Sequence, residues 1–280
     1  MPVRPFWTGM VFLWKETPPI SSNIEVRANR FDVRAPGHYA RAVYAKDAAS
    51  LKLNANIFDV RSEGQEAYGV LAANKASLSL MGNHFKVFSK GNAAHLIADV
   101  GGLHAQGEAS LTLSGNAFDL RLEEGSSGVI RDAIGAVTIG NASLNLDSNN
   151  TFNIYSALNG TGVKAYGKAP LSINGSAFAV TAKHSFGLRA QGGVAHAIAD
   201  NRFLLKTMRE TGGRVFGITG SLNFKGVKNN RFELSGPESA EIVLGLYTGH
   251  KVIDDQKLDK NQIDASPVKD AHGNTFSRVR

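Results

Sequence analysis

The sequence contains no cysteine and only 8 prolines among its 280 residues. The first absence excludes disulfide staples, thiol catalysis and the usual zinc sites, so stability has to come from burial and stacking in whatever compartment the chain works. Missing too are a long heptad pattern, a Gly-rich phosphate loop between strand and helix, and a Gly-x-Ser-x-Gly elbow. The net charge is +7, but Lys and Arg are scattered beside acidic residues with no basic run and no RNA-binding signature. Nucleic acid is therefore not an expected partner, whereas anionic surfaces and glycans are. No run of the chain is long and apolar enough for a transmembrane segment. Pro5 to Trp14 comes nearest, and it is short and interrupted by Thr8 and Gly9. With no small-residue cleavage site after it, residues 1–20 read as an irregular capping segment, a truncated export signal being the alternative.

What the chain does have is 30 glycines, many Asn and Ser, and 42% apolar residues. That mixture favours many short strands separated by turns around a sizeable core, with helix a minor component. Self-similarity is the strongest signal. Asn-x-Phe recurs at Asn29-Arg30-Phe31, Asn56-Ile57-Phe58, Asn83-His84-Phe85, Asn116-Ala117-Phe118, Asn150-Thr151-Phe152, Asn201-Arg202-Phe203 and Asn230-Arg231-Phe232, with a degenerate copy at Ser176-Ala177-Phe178. Successive Phe are 27, 27, 33, 34, 26, 25 and 29 residues apart. Before each Phe runs an alternating segment such as Ala76-Ser77-Leu78-Ser79-Leu80, and after it Phe-Asp-Val-Arg or a variant. A third short element follows a variable loop, as in Gly69-Val70-Leu71-Ala72 and Gly187-Leu188-Arg189-Ala190.

Three short period-two strands in about 27 residues are too few for a propeller blade, and the Leu spacing is wrong for a leucine-rich repeat. They suit an all-β, right-handed parallel β-helix of about eight coils with three short strands each. A single coil cannot bury its own apolar face, so coils stack and identical positions form ladders. Leu51, Leu78, Leu111, Leu144 and Leu171 are expected to make an aliphatic ladder, and Phe31, Phe58, Phe85, Phe118, Phe152, Phe178, Phe203 and Phe232 an aromatic one. Asn29, Asn56, Asn83, Asn116 and Asn150 sit where the chain turns. Left-handed backbone and coil-to-coil amide bonds are expected there. The longer steps place extra loop residues around Gly101–Gly107 and Ile134–Asn141. The repeat domain spans residues 21–248, and residues 249–280 read as a polar tail or, through Asn274-Thr275-Phe276, a degenerate last coil.

The Ala-Ser-Leu-x-Leu-x-x-Asn-x-Phe-x-Val coils resemble those in passenger domains of bacterial autotransporters and related exported adhesins, and more distantly the vacuolating-cytotoxin-like group. The resemblance implies a secreted or bacterial cell-surface protein, associated with virulence, that binds a cell-surface receptor or a glycan. An autotransporter would end in a membrane barrel with a terminal aromatic, whereas this chain ends Ser277-Arg278-Val279-Arg280. The resemblance thus implies a passenger fragment, a split-gene product or export by another route; phage tailspikes share the architecture.

For function, two outward columns stand out. One residue after Phe come Asp32, Asp59, Lys86, Asp119 and Asn153; three after it come Arg34, Arg61, Phe88, Arg121 and Tyr155. The second column is the candidate surface for an anionic glycan. The rival reading is a lyase or hydrolase of acidic polysaccharides with Asp32 and Asp59 as catalytic carboxylates about 5 Å apart. The eight His are dispersed without metal-ligand spacing, so no metal and no cofactor are expected.

Overall fold

The computed structural model describes residues 9–15, 23–36, 39–64, 66–90, 97–123, 130–168, 171–191, 197–208, 212–220, 226–237, 241–247, 267–270 and 272–279. Outside them lie most of the N-terminal segment, residues 249–266 of the tail, Gly128, Val129, and the histidines at 38, 95, 196 and 250.

Each coil contributes three strands. The first strands, from Asn23–Arg27 through Ser77–Met81 to Val227–Lys228, make an eight-stranded sheet. The second strands are Arg30–Ala35, Ile57–Ser62, His84–Ser89 and Ala117–Leu122, the opening halves of Thr151–Gly167 and Ala177–Gln191, and then Arg202–Thr207, Arg231–Ser235 and Thr275–Arg278. Third strands such as Tyr39–Lys46, Glu66–Ala72, Ile97–Gly107 and Ile130–Gly140 join them in a seventeen-stranded sheet. Among the described residues, pairing is parallel throughout except between Val268–Lys269 and Thr275–Arg278. The chain is a parallel β-helix, with each strand lying on its counterpart one repeat away.

Alternation supplies the core. Leu51, Leu78, Leu111, Leu144 and Leu171 pair in register and are buried, while the residues between them face outward. The Phe rings stack from Phe31 to Phe276, with centroids 4.6 to 5.0 Å apart and planes within 15°. Phe31 is only partly buried, and Phe276 adds a ninth ring from the degenerate last coil.

The Asn ladder lies beside the rings. Asn83 donates from both its backbone N–H and its Nδ2 to Oδ1 of Asn116, and from Nδ2 also to the Leu53 carbonyl. The same pattern joins Asn56 to Asn83, Asn201 to Asn230 and Asn230 to Asn274. Left-handed backbone, however, belongs to the residue before each ladder Asn, and before Ser176 in the degenerate copy: Ala28, Ala55, Gly82, Gly115, Asn149, Gly175, Asp200, Asn229 and Gly273, with φ between 53° and 81°. That residue reverses the chain so that the Asn itself can turn its amide inward.

Three other expectations are corrected. The stretches 101–107 and 134–140 are strand, in register with one another and not loop. The extra residues fall at the corner between second and third strands. Ala67 follows Ser62 by five residues, whereas Val100 follows Ser89 and Ala133 follows Leu122 by eleven. The N-terminal segment is also partly regular. Gly9–Lys15 forms a parallel strand on Tyr39–Lys46 and satisfies a sheet edge that would otherwise be open. Finally, the glycines of the third element sit inside its strands. A Cβ on Gly102 or Gly135 would lie 2.6 or 2.5 Å from the carbonyl oxygen of the next glycine in the column and 3.0 Å from a Phe ring. These positions are glycine because the strand bends there against its neighbour.

Candidate functional site

The outward face of the second strands carries the columns anticipated from sequence, now in register. Asp32 faces Asp59 and Arg34 faces Arg61; farther along, Asp59, Lys86, Asp119 and Asn153 follow one another, as do Arg61, Phe88, Arg121 and Tyr155. Stacking has thus gathered residues spread over more than a hundred positions onto one ribbon. Between the Asp59 and Asp119 coils this face is hollowed into a shallow groove of about 420 Å³ lined by Asp59, Arg61, Lys86, Val87, Phe88, Asp119, Arg121 and Glu123.

The guanidinium groups are not free cations. Arg34 Nε is 2.9 Å from Asp32, Arg61 holds both oxygens of Asp59 at 2.9 and 3.2 Å, and Arg121 reaches Glu123 at 3.2 Å while lying 5.2 Å over the Tyr155 ring. The hydrogen bond from Arg61 is the main cause that keeps the Asp59 carboxyl below its ordinary value. Burial pushes Asp119 up, but bonds from Asn153 and His84, with the charges of His84 and Lys86, outweigh it and hold that carboxyl low as well. Asp59 is therefore held as a carboxylate paired with Arg61. The outward face is a polar ladder with a surplus of cations. Outward positions of the second strands hold Arg30, Arg34, Arg61, Lys86, Arg121, Arg202, Lys206 and Arg231 against Asp32, Asp59, Asp119 and Glu233. The surplus is spread along the ribbon, with Arg202 and Arg231 sharing Glu233.

Sequence reasoning missed a second polar surface. On the third strands two outward columns flank the bending glycine column, and the bend is concave toward solvent. Positions five apart on a straight strand stand about 16 Å apart. Yet Lys164, two past its glycine, puts Nζ 2.9 Å from Oδ2 of Asp132, three before its own glycine on the neighbouring strand. The arms of the bend face one another, and outward Tyr68, Leu71, Ile134 and Val137 are buried between them. At one end of this cleft stand Arg41, Glu66, Tyr68 and His104. The signal was available: the aligned glycines fix the register, and the residues one before and two after each glycine share a surface.

Among the described residues, no group of three or more His, Asp or Glu could hold a metal ion, and no helix is long and apolar enough to cross a membrane. Fold and surface together define a parallel β-helix module with a cation-rich outer ribbon. Comparison with known proteins returns no matching family model, no matching curated protein and no matching solved structure.

Proposed function

We propose that this chain is an exported, surface-held binding module of the adhesin type, which engages an anionic glycan along the outer ribbon of its second strands and does not cleave it. The observation that carries the reading is the ribbon itself: eight cationic side chains against four carboxylates on the second strands and Glu123 at their edge, with Phe88 between Arg61 and Arg121 and the exposed Tyr155 beside Arg121. Repeating charge at the coil spacing suits a repeating anionic polymer, and aromatic faces suit the C–H face of a sugar. Because Arg34, Arg61 and Arg121 each already touch a carboxylate, the polymer has to compete for them, and affinity per coil is modest.

Binding of polygalacturonate and of a sulfated glycosaminoglycan to immobilised protein tests the reading. Replacing Arg34, Arg61, Lys86 and Arg121 together by Gln is expected to weaken binding at least tenfold, and raising salt from 50 to about 500 mM to weaken it comparably. Binding that ignores both changes would discard the ribbon as the contact surface. Turnover of the polymer that is lost in Asp59→Asn would replace the reading by the enzymatic one.

A further inference from the structure

The cleft on the third strands ends in a cluster that the ribbon does not use. Arg41 lies between two tyrosine rings, 5.1 Å from the centroid of Tyr39 and 5.5 Å from that of Tyr44. Glu66 is 3.9 Å from its Nη2, too far for a hydrogen bond, and the buried Nε has no hydrogen-bond partner among the described residues. One strand along, the Tyr68 ring lies across Gly101 of the following strand, whose missing Cβ would come within 2.5 Å of it, and meets His104 edge-on at 5.4 Å. The His104 Nε2 is likewise buried without a partner. Arg41 and Glu66 remain about one quarter exposed. The cluster is therefore reachable from solvent although its key nitrogens are shielded.

Buried polar atoms without partners cost stability, and a cluster of them facing a cleft wants a ligand of matching polarity. The unmet groups are the Nε–H of a guanidinium and a neutral imidazole nitrogen, walled by tyrosines. A guanidinium edge matches a carboxylate, an imidazole nitrogen a hydroxyl, and a tyrosine wall the apolar face of a pyranose. We propose that Arg41, Tyr44, Tyr68 and His104 form a binding subsite for a uronic-acid residue, with the sugar carboxylate on Arg41 and a ring hydroxyl on His104 Nε2. Burial, followed by the Arg41 charge, lowers the His104 pKa to about 4, so the ring meets the hydroxyl uncharged. Glu66 opposes the ligand. Burial raises its pKa against the pull of Arg41, and its ionised form repels the incoming carboxylate.

The site stands apart from the second-strand ribbon, and its test is separable from the one above. Ring resonances of His104, assigned by their loss in His104→Gln, are followed while the full chain is titrated with galacturonate, trigalacturonate, galactose and acetate. Galacturonate and its trimer are expected to shift them saturably, galactose and acetate not. Arg41→Lys, which keeps the charge but loses the planar N–H edge, is expected to weaken binding about tenfold, and Arg41→Gln to abolish it. Glu66→Gln is expected to tighten it, and Arg61→Gln with Arg121→Gln to leave it unchanged. Absence of a saturable shift, or its persistence in Arg41→Gln, would overturn the site. Equal shifts with acetate or galactose would overturn its assignment to a uronic acid.

Discussion

Ala55 holds φ at 53°, a conformation that costs an L-residue with a Cβ about 1–2 kcal/mol and glycine almost nothing. The equivalent position in the next two coils is Gly82 and Gly115. Ala55→Gly is therefore expected to stabilise the chain by about 1 kcal/mol in urea unfolding, after glycine's added chain entropy is subtracted. The Asn that follows pulls the other way. Asn116→Ala removes the acceptor of two Asn83 donors and should cost about 2–4 kcal/mol. At the exposed end of the ladder, Asn29→Ala should cost less. The ladder was legible because Asn recurs at a fixed offset from Phe; the left-handed residue was not, since Asn itself tolerates that conformation and Ala28 and Ala55 hide the glycine pattern. His104 gives a pH dependence with a definite sign. Its folded pKa of about 4 lies below the ordinary 6.5, so between those values the unfolded chain takes up a proton that the folded chain refuses. Stability is fully present above pH 6.5 and falls as pH drops toward 4, by up to about 3 kcal/mol. Denaturation midpoints across that window should flatten in His104→Gln.

Strands and bends obey two different constraints, and substitution separates them. In the middle of the stack Phe118→Ala is expected to cost about 3–5 kcal/mol, because the ring lies between Phe85 and Phe152 and is wholly buried. Asp119→Ala, one residue on and partly exposed, should cost about 1 kcal/mol or less. Equal losses would reverse the inward and outward assignments. Of the glycines, Gly82→Ala meets nothing within 4 Å and suffers only from its φ of 62°, a loss of about 1 kcal/mol. Gly135→Ala forces a methyl to 2.5 Å from a backbone oxygen and should cost about 3 kcal/mol or more. That a glycine recurs in the third element was plain from its repetition. The concave bend was not, because period-two alternation says which residues point out and nothing about how far two outward columns stand apart. For the same reason Arg34, Arg61 and Arg121 were readable as one column beside an Asp column that offsets its charge, whereas the turn of Arg121 to Glu123 was not.

At the scale of the molecule, stability is distributed along a stack in which every coil depends on its neighbours, and both proposed surfaces exist only because residues 25 to 34 positions apart are held in register. A slip of one residue in any first strand would turn its Leu pair outward and shear every ladder beyond it. Register is thus the central claim, and the absence of native cysteine offers a clean way to measure it. Ser79 and Thr112 are exposed, outward and directly paired, which sets their Cα atoms about 4.8 Å apart, within disulfide range. Ser79 and Ser110 share the same face but are offset by two residues, about 8 Å apart and out of range. Mild oxidation of the Ser79→Cys/Thr112→Cys chain should close an intramolecular disulfide, seen by mass spectrometry as the loss of two hydrogens without dimer formation. The Ser79→Cys/Ser110→Cys chain should stay reduced. Closure of the offset pair, or of neither, would contradict the stacked, in-register β-helix on which both surfaces rest.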